Sequence, residues 1–148
     1  MKLVIDASVS VKWFLPHLQS EQNVEQAIAI SALLDSLETE VFAPPHWVAE
    51  TVAVLARAEL DLAVDALLVL EDIAAKIVSN HSTMRQAITL ANRLNHHLFD
   101  TLYHAVALET GATLVTADDR YFAKARSQGH IVLLRDFQYP PESPATTT

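Results

Sequence analysis

Two aspartates follow short apolar runs, at positions where strands would end. Asp6 comes directly after Leu3-Val4-Ile5, and Asp118 lies two residues beyond Thr116, which closes Ala112-Thr113-Leu114-Val115-Thr116. Taken singly, each reads equally well as a helix cap, a role aspartate fills routinely. Glu50 carries more information. On a helix its neighbours at i−4, i−3, i+3 and i+4 are His46, Trp47, Ala53 and Val54, so no lysine or arginine neutralises it locally. Its ordinary alternative is a solvated surface position. Asp100 opens a segment that carries Tyr103 and His104, where the positive end of a helix favours a carboxylate. His104 lies one turn along on the same face, placed to bond Asp100 or to line the site Asp100 faces. Four acids brought together would repel one another, and a divalent cation relieves that repulsion. Carboxylate and water ligands suit magnesium or manganese, and a chain without cysteine has no thiolate zinc site, disulfide or cysteine nucleophile. A cation held by such a cluster can bridge phosphate oxygens, activate a water and offset the charge of the site.

The charge balance gives that cation a second purpose. Ten Lys and Arg stand against 18 Asp and Glu, a formal charge of −8, which is the wrong sign for binding nucleic acid through a basic surface. A phosphate-bearing partner would have to be recruited by a bound cation or a small basic patch. Lys12, Arg85, Arg93, Arg120, Lys124 and Arg126 are the candidates, each more often a solvated charge. His17, His81, His96, His97 and His130 lack the paired spacing of a zinc motif and read as surface or locally bonded residues.

Elements able to position these acids alternate along the 148 residues. The run Leu3–Ile5 reads as a strand buried on both faces. Ser8 is placed to cap a short helical segment through Trp13, Phe14 and Leu15, closed by Pro16. A helix is expected from about Glu21 to Leu37, a strand at Val41–Ala43, and a helix with Pro44-Pro45 in its first turn and Val48, Val52 and Leu55 as its core stripe. Then come a helix from about Leu62 to Ala75, a strand at Lys76–Ser79 and a helix from Ser82 or Thr83 to near Asn95. The helix Phe99–Glu109 stops at Gly111, and strands at 112–116 and 131–134 flank a helix at 119–128. Alternating strands and helices mean βα units and a mostly parallel sheet. With 51% hydrophobic and 19% charged residues, positions 1–138 are expected to form one domain, and the proline-rich tail 139–148 to be disordered. Leu62–Val78, the most apolar stretch, is broken by Asp65, Glu71, Asp72 and Lys76, and the first apolar run is too short for a signal peptide. A soluble, cytoplasmic protein is expected.

The acids lie in four ordered motifs. Val4-Ile5-Asp6-Ala7-Ser8 through Trp13-Phe14, Pro45-His46-Trp47-Val48-Ala49-Glu50, Phe99-Asp100-Thr101-Leu102-Tyr103-His104-Ala105-Val106-Ala107 and Leu114-Val115-Thr116-Ala117-Asp118-Asp119-Arg120-Tyr121-Phe122 together resemble the PIN-domain ribonucleases, and most closely the VapC-like toxins of toxin–antitoxin pairs. The resemblance covers residues 1 to about 134. It implies a three-layer α/β/α domain with a mostly parallel five-stranded sheet. Asp6, Glu50, Asp100 and Asp118 would be the catalytic acids and the ligands of one or two magnesium or manganese ions, with Ser8 and Thr116 as hydroxyls at the same rim. The activity implied is endoribonuclease hydrolysis of RNA phosphodiesters, leaving a 5′-phosphate and a 3′-hydroxyl. The partners implied are an antitoxin protein and a second copy of the chain; Trp13, Phe14 and Trp47 read as core, with part of that apolar surface as the alternative, a dimer contact or a groove for an antitoxin helix.

Two positions depart from the family pattern. Asp119 adds an acid where related sequences often have a basic residue, and His104 stands where the family is usually apolar, as a possible phosphate-facing group or a partly packed helix histidine. A free-standing RNA-processing nuclease is the near alternative. A non-catalytic acidic-pocket module of the phosphoacceptor type is the distant one, and it requires an acid pair after the first strand and a lysine at the end of the last. Here Asp6 stands alone and Leu134 precedes Arg135.

Overall fold

The computed structural model describes residues 1–15 and 22–138. The expected stop at Pro16, the helix start at Glu21, His17 and the expected disorder from Tyr139 lie outside the described residues. Five strands form one sheet: β1 (Lys2–Ile5), β2 (Glu40–Ala43), β3 (Lys76–Ile77), β4 (Thr113–Thr116) and β5 (Ile131–Leu133), in the order β3-β2-β1-β4-β5 and parallel throughout. The connecting helices are α1 (Ala7–Ser10), α2 (Val24–Leu34), α3 (Trp47–Ala58), α4 (Leu60–Asp72), α5 (His81–Leu94), α6 (Leu98–Thr110) and α7 (Asp119–Ala125). None of them is long and apolar enough to cross a membrane.

Strand periodicity divides the core into two layers. Val4 and Leu114 face Trp47, Leu70, Tyr103, Val106 and Tyr121 from α3, α4, α6 and α7. Leu3, Ile5 and Val115 face the other way, onto Ala27 and Ile30 of α2. A parallel sheet needs helices on both faces, and the unbroken apolar run Leu3–Ile5 is its sequence signature. The order reverses at β1, whose neighbours are β2 and β4, and the crevice at such a switch point is where open α/β sheets take ligands.

Several element ends differ from the expectations for local reasons. Asp6, not Ser8, takes the extended N-cap position of α1, and Ser8 lies inside the helix with its hydroxyl turned back onto Asp6. Pro44 and Pro45 precede α3, since the Pro44 carbonyl accepts from the Trp47 amide at 3.2 Å in a turn before the helix starts. Asn23 adopts a left-handed conformation (φ 58°) immediately before α2, so that helix starts at Val24. The third strand is only two residues long. Asn80, with its side-chain oxygen on the Thr83 amide at 2.9 Å, caps α5, which starts at His81, one or two residues before the expected Ser82 or Thr83. Gly111, at φ 72°, ends α6 where expected.

Two buried hydroxyls join α1 to α3 and thereby set Asp6 and Glu50 in relation. Thr51 Oγ1 donates to the Trp47 carbonyl at 2.9 Å and accepts from Ser10 Oγ at 2.8 Å. Thr51→Val removes the acceptor and leaves Ser10 with only a 3.4 Å contact to the Ala7 carbonyl. Losing a buried partner in this way costs about 1–3 kcal/mol, so urea unfolding of Thr51→Val is expected to show a lower midpoint at unchanged slope.

Candidate active site

Asp6 owes its place to the central pairing of the sheet. Ile5 is in register with Val115, and the Asp6 amide donates to the Val115 carbonyl at 3.0 Å, so β1 and β4 end side by side. The carboxylate emerges there almost fully buried, and its Oδ2 accepts from both Ser8 Oγ and Thr116 Oγ1, the latter at 3.0 Å. The same hydroxyls accept in turn. Ser8 Oγ takes the Ala117 amide at 3.0 Å and Thr116 Oγ1 the Asp118 amide at 3.1 Å, which fixes the loop after β4 against the end of β1. Asp118 is the N-cap of α7, with Oδ1 accepting from the Tyr121 amide at 2.9 Å.

Asp100 lies in the first turn of α6, and its Oδ2 is 2.8 Å from His96 Nε2. The tautomer follows from the other ring nitrogen. Lys124 Nζ sits 3.3 Å from His96 Nδ1, and an ammonium can only donate, so Nδ1 accepts and the proton on Nε2 goes to Asp100. His96, Asp100 and Asp118 bring potential ligand atoms within 4.8 Å of one another, the one such group among the described residues. Asp6 and Glu50 border it: Asp100 and Asp118 both act on Asp6, while Asp6 and Asp100 act on Glu50. Glu50 Oε2 is 3.5 Å from His46 Nε2, whose proton goes to the Phe99 carbonyl at 2.9 Å. Burial lowers the pKa of His46, so it offers Glu50 little positive charge. No lysine or arginine pairs with any of the four acids among the described residues.

The remaining expected site residues divide. Ser8 and Thr116 lie at the rim, as described. Asp119 turns away, paired with Arg135 at 2.6 Å on the surface, which leaves Asp118 as the acid next to Asp100. His104 is fully buried and bonds neither Asp100 nor solvent. Its Nε2–H goes to the Gly129 carbonyl at 2.7 Å, so Nδ1 accepts the Tyr121 hydroxyl at 2.9 Å, and burial lowers its pKa. His104 therefore holds the helix that Asp118 caps. His96 is the residue that sequence reasoning set aside. Its only signal was four-residue spacing from Asp100, and because His96 precedes α6 that spacing does not by itself put the two on one helical face.

Acids this close cannot all ionise cheaply without a cation. Burial first, then Asp100 and Asp118, outweigh the Ser8 and Thr116 bonds and raise Asp6 from 3.8 to about 6. Burial, Asp6 and Asp100 raise Glu50 from 4.5 to about 7. The Tyr103 hydroxyl, buried between Glu50 and the Ala7 backbone, makes no hydrogen bond of normal geometry among the described residues. A set of oxygen donors with surplus negative charge and one unsatisfied hydroxyl fits a hard divalent ion. A folded-state pKa above the unfolded value means that the native protein holds the extra proton, so stability falls as pH rises from the unfolded pKa to the folded one. In chelator, unfolding free energy is expected to drop between pH 4 and 6 by roughly 2 kcal/mol more in wild type than in Asp6→Asn, from a full shift worth about 1.4 kcal/mol per unit. Parallel urea titrations of the two proteins across that range check it.

A family model for the PIN domain matches residues 3–127. No curated protein matches the chain by sequence. Among solved structures, a Pyrobaculum aerophilum protein superposes with a TM-score of 0.65 at 16% identity, over 91% of this chain and 90% of its own. VapBC2 from Rickettsia felis, solved with a DNA fragment from its promoter, gives 0.63 at 15% identity over 90% and 97%. VapC20 from Mycobacterium tuberculosis, a sarcin-ricin loop cleaving toxin, gives 0.63 at 17% identity over 82% and 94%. At these identities the likeness is one of fold. The ordered acids at the β1/β4 switch point and a family match spanning most of the sequence lead to one conclusion: this chain belongs to the PIN domain family.

Proposed function

We propose that the protein is a divalent-metal-dependent endoribonuclease and the toxin of a toxin–antitoxin pair. The observation that carries the reading is the way its three aspartates are held. Asp6 is fixed through Oδ2, Asp100 through Oδ2 and Asp118 through Oδ1, and in each the second carboxylate oxygen has no hydrogen bond among the described residues. Three carboxylates, each anchored by one oxygen and presenting the other, form a preorganised donor set. Asp6, Glu50, Asp100 and Asp118 would hold magnesium or manganese directly or through water. When bound, the ion supplies charge neutralisation at the phosphodiester and a water acidic enough to attack it.

The chain's own residues do the rest. Ser8 and Thr116 keep Asp6 oriented. His96, with its tautomer set by Lys124, holds Asp100, and the Tyr121 amide holds Asp118. Glu50, at the more open edge, is placed to accept a proton from an attacking water. Membership of the PIN domain family and the likeness to VapC20, a sarcin-ricin loop cleaving toxin, support RNA as the substrate. Cleavage of total RNA by purified protein is expected with magnesium or manganese. It should stop in chelator and fall at least 100-fold in Asp6→Asn and Asp100→Asn, as loss of a metal ligand does. A folded wild type that leaves RNA intact in both metals would overturn the reading.

An antitoxin partner is supported by the likeness to VapBC2 and by an apolar groove away from the acids. Trp13, Phe14, Ile28, Leu34, Val69 and Ile73 line a cleft of about 570 Å³ between α2 and α4, with Ile28 and Val69 about half exposed. It fits the apolar face of a partner helix. Val69→Asp is expected to weaken co-purification with the neighbouring gene's product at least tenfold while RNA cleavage continues. Loss of both together would mean a folding defect rather than a docking site. The homodimer that the resemblance implies and the cytoplasmic location expected from the sequence belong to the same proposal.

A further inference from the structure

Beside the carboxylates the surface changes sign. Asn95, His96, His97, Arg120 and Lys124 line a small concavity of about 210 Å³, and none of its side chains is acidic. Arg120 is exposed and has no carboxylate partner among the described residues. Lys124 is also without a carboxylate partner there, yet it is held in place, donating to the Asn95 carbonyl at 3.0 Å and to His96 Nδ1 at 3.3 Å. An ammonium has three donors, so one remains for a ligand. In a chain of formal charge −8, a concave surface lined by two cations and no acid thus stands directly beside the acid cluster. The wall they share with the acid cluster is His96, whose other nitrogen holds Asp100.

We propose that this concavity seats a second phosphate of the RNA strand, the one next to the phosphodiester that the carboxylates and their cation engage. The inference rests on the nuclease reading and adds where the strand runs: from the acid cluster, over His96, towards the start of α7. Arg120 offers a planar fork suited to phosphate oxygens and Lys124 a fixed point charge. His97, exposed at the mouth, adds a ring against which a base or sugar can rest.

Binding is separated from cutting by working in an Asp6→Asn background, with a single-stranded RNA oligonucleotide in magnesium followed by fluorescence anisotropy across a salt series. Arg120→Ala is expected to lower the slope of log affinity against log salt by about 0.7, the value for one phosphate of a single strand, and to weaken binding about fivefold at 0.1 M salt. Arg120→Lys should keep the slope. Arg57→Ala, an exposed arginine at the far end of α3, should match the parent. An Arg120→Ala protein with the parent's slope and affinity overturns the subsite, and if wild type still cuts RNA the nuclease reading stands without it. An equal loss in Arg57→Ala also overturns it, since net charge would then explain the effect. A parent that does not bind RNA, together with a wild type that does not cut it, removes both readings.

Discussion

The structure depends on a carboxylate held at the end of its central strand. Asp6 lies where β1 stops, flanked on either side by strands and covered by α1, so burial alone pushes it towards the protonated form. Two hydroxyls keep the cost tolerable. Ser8 comes from the first turn of α1 and Thr116 from the last residue of β4, so the bonds that satisfy Asp6 also tie the first βα unit to the fourth strand. Because both hydroxyls also accept loop amides, the path of the chain into α7 follows from how Asp6 is satisfied. A threonine or serine here acts as an adaptor that takes an amide proton and passes its own to a carboxylate.

That arrangement explains why the other acids converge. Asp118 reaches the site because the residue two before it is tied to Asp6, and Asp100 because α6 packs its Tyr103, Val106 and Ala107 against the same sheet face as Val4 and Leu114. Glu50 arrives on α3, whose Trp47 enters the same core and whose Thr51 is bonded to α1. Asp100 and Glu50 are thus delivered by apolar contacts about one turn away, and Asp118 by a hydrogen bond. The repulsion that results is a property of the whole arrangement, opposed by burial energy spread over the core.

The parts of this that could be read in the sequence are those with a local signature. β1, β2, β4 and β5 were legible from short β-branched runs, and α6 from an apolar stripe closed by Gly111. Asp6, Asp100 and Asp118 were legible as acids at element ends. What could not be read depends on contacts between distant segments. Nothing near Ser8 says that its hydroxyl will turn back to Asp6 and accept from a residue 109 positions away. His96 sits in an irregular link, where no period relates it to Asp100, and its partner Lys124 is 28 residues further on. His104 was placed on the correct helix, but whether it faces the acids or the last strand is decided by how α6 is rotated against β5 and α7. Helix ends moved by up to three residues where a turn set them, as at Pro44 and Asn23.

Net charge and function look opposed in this molecule, and distance reconciles them. At physiological ionic strength the field of an exposed charge fades over about 8 Å, so most of the 18 acids do not act on a ligand at the switch point. What a phosphodiester would meet there under the proposed function is local: carboxylates whose surplus charge a divalent cation would convert into an attraction, and a neighbouring surface that carries Arg120 and Lys124 without acids. Asp119, the one acid that would spoil that surface from within α7, is paired with Arg135 on the side away from it. An acidic chain of this kind has weak non-specific affinity for nucleic acid, because little of its binding comes from long-range field. On the proposed reading it would engage a strand only where the cation and the small basic concavity can be reached together. That requirement favours single-stranded or looped segments whose backbone can bend into the crevice, over regular duplexes.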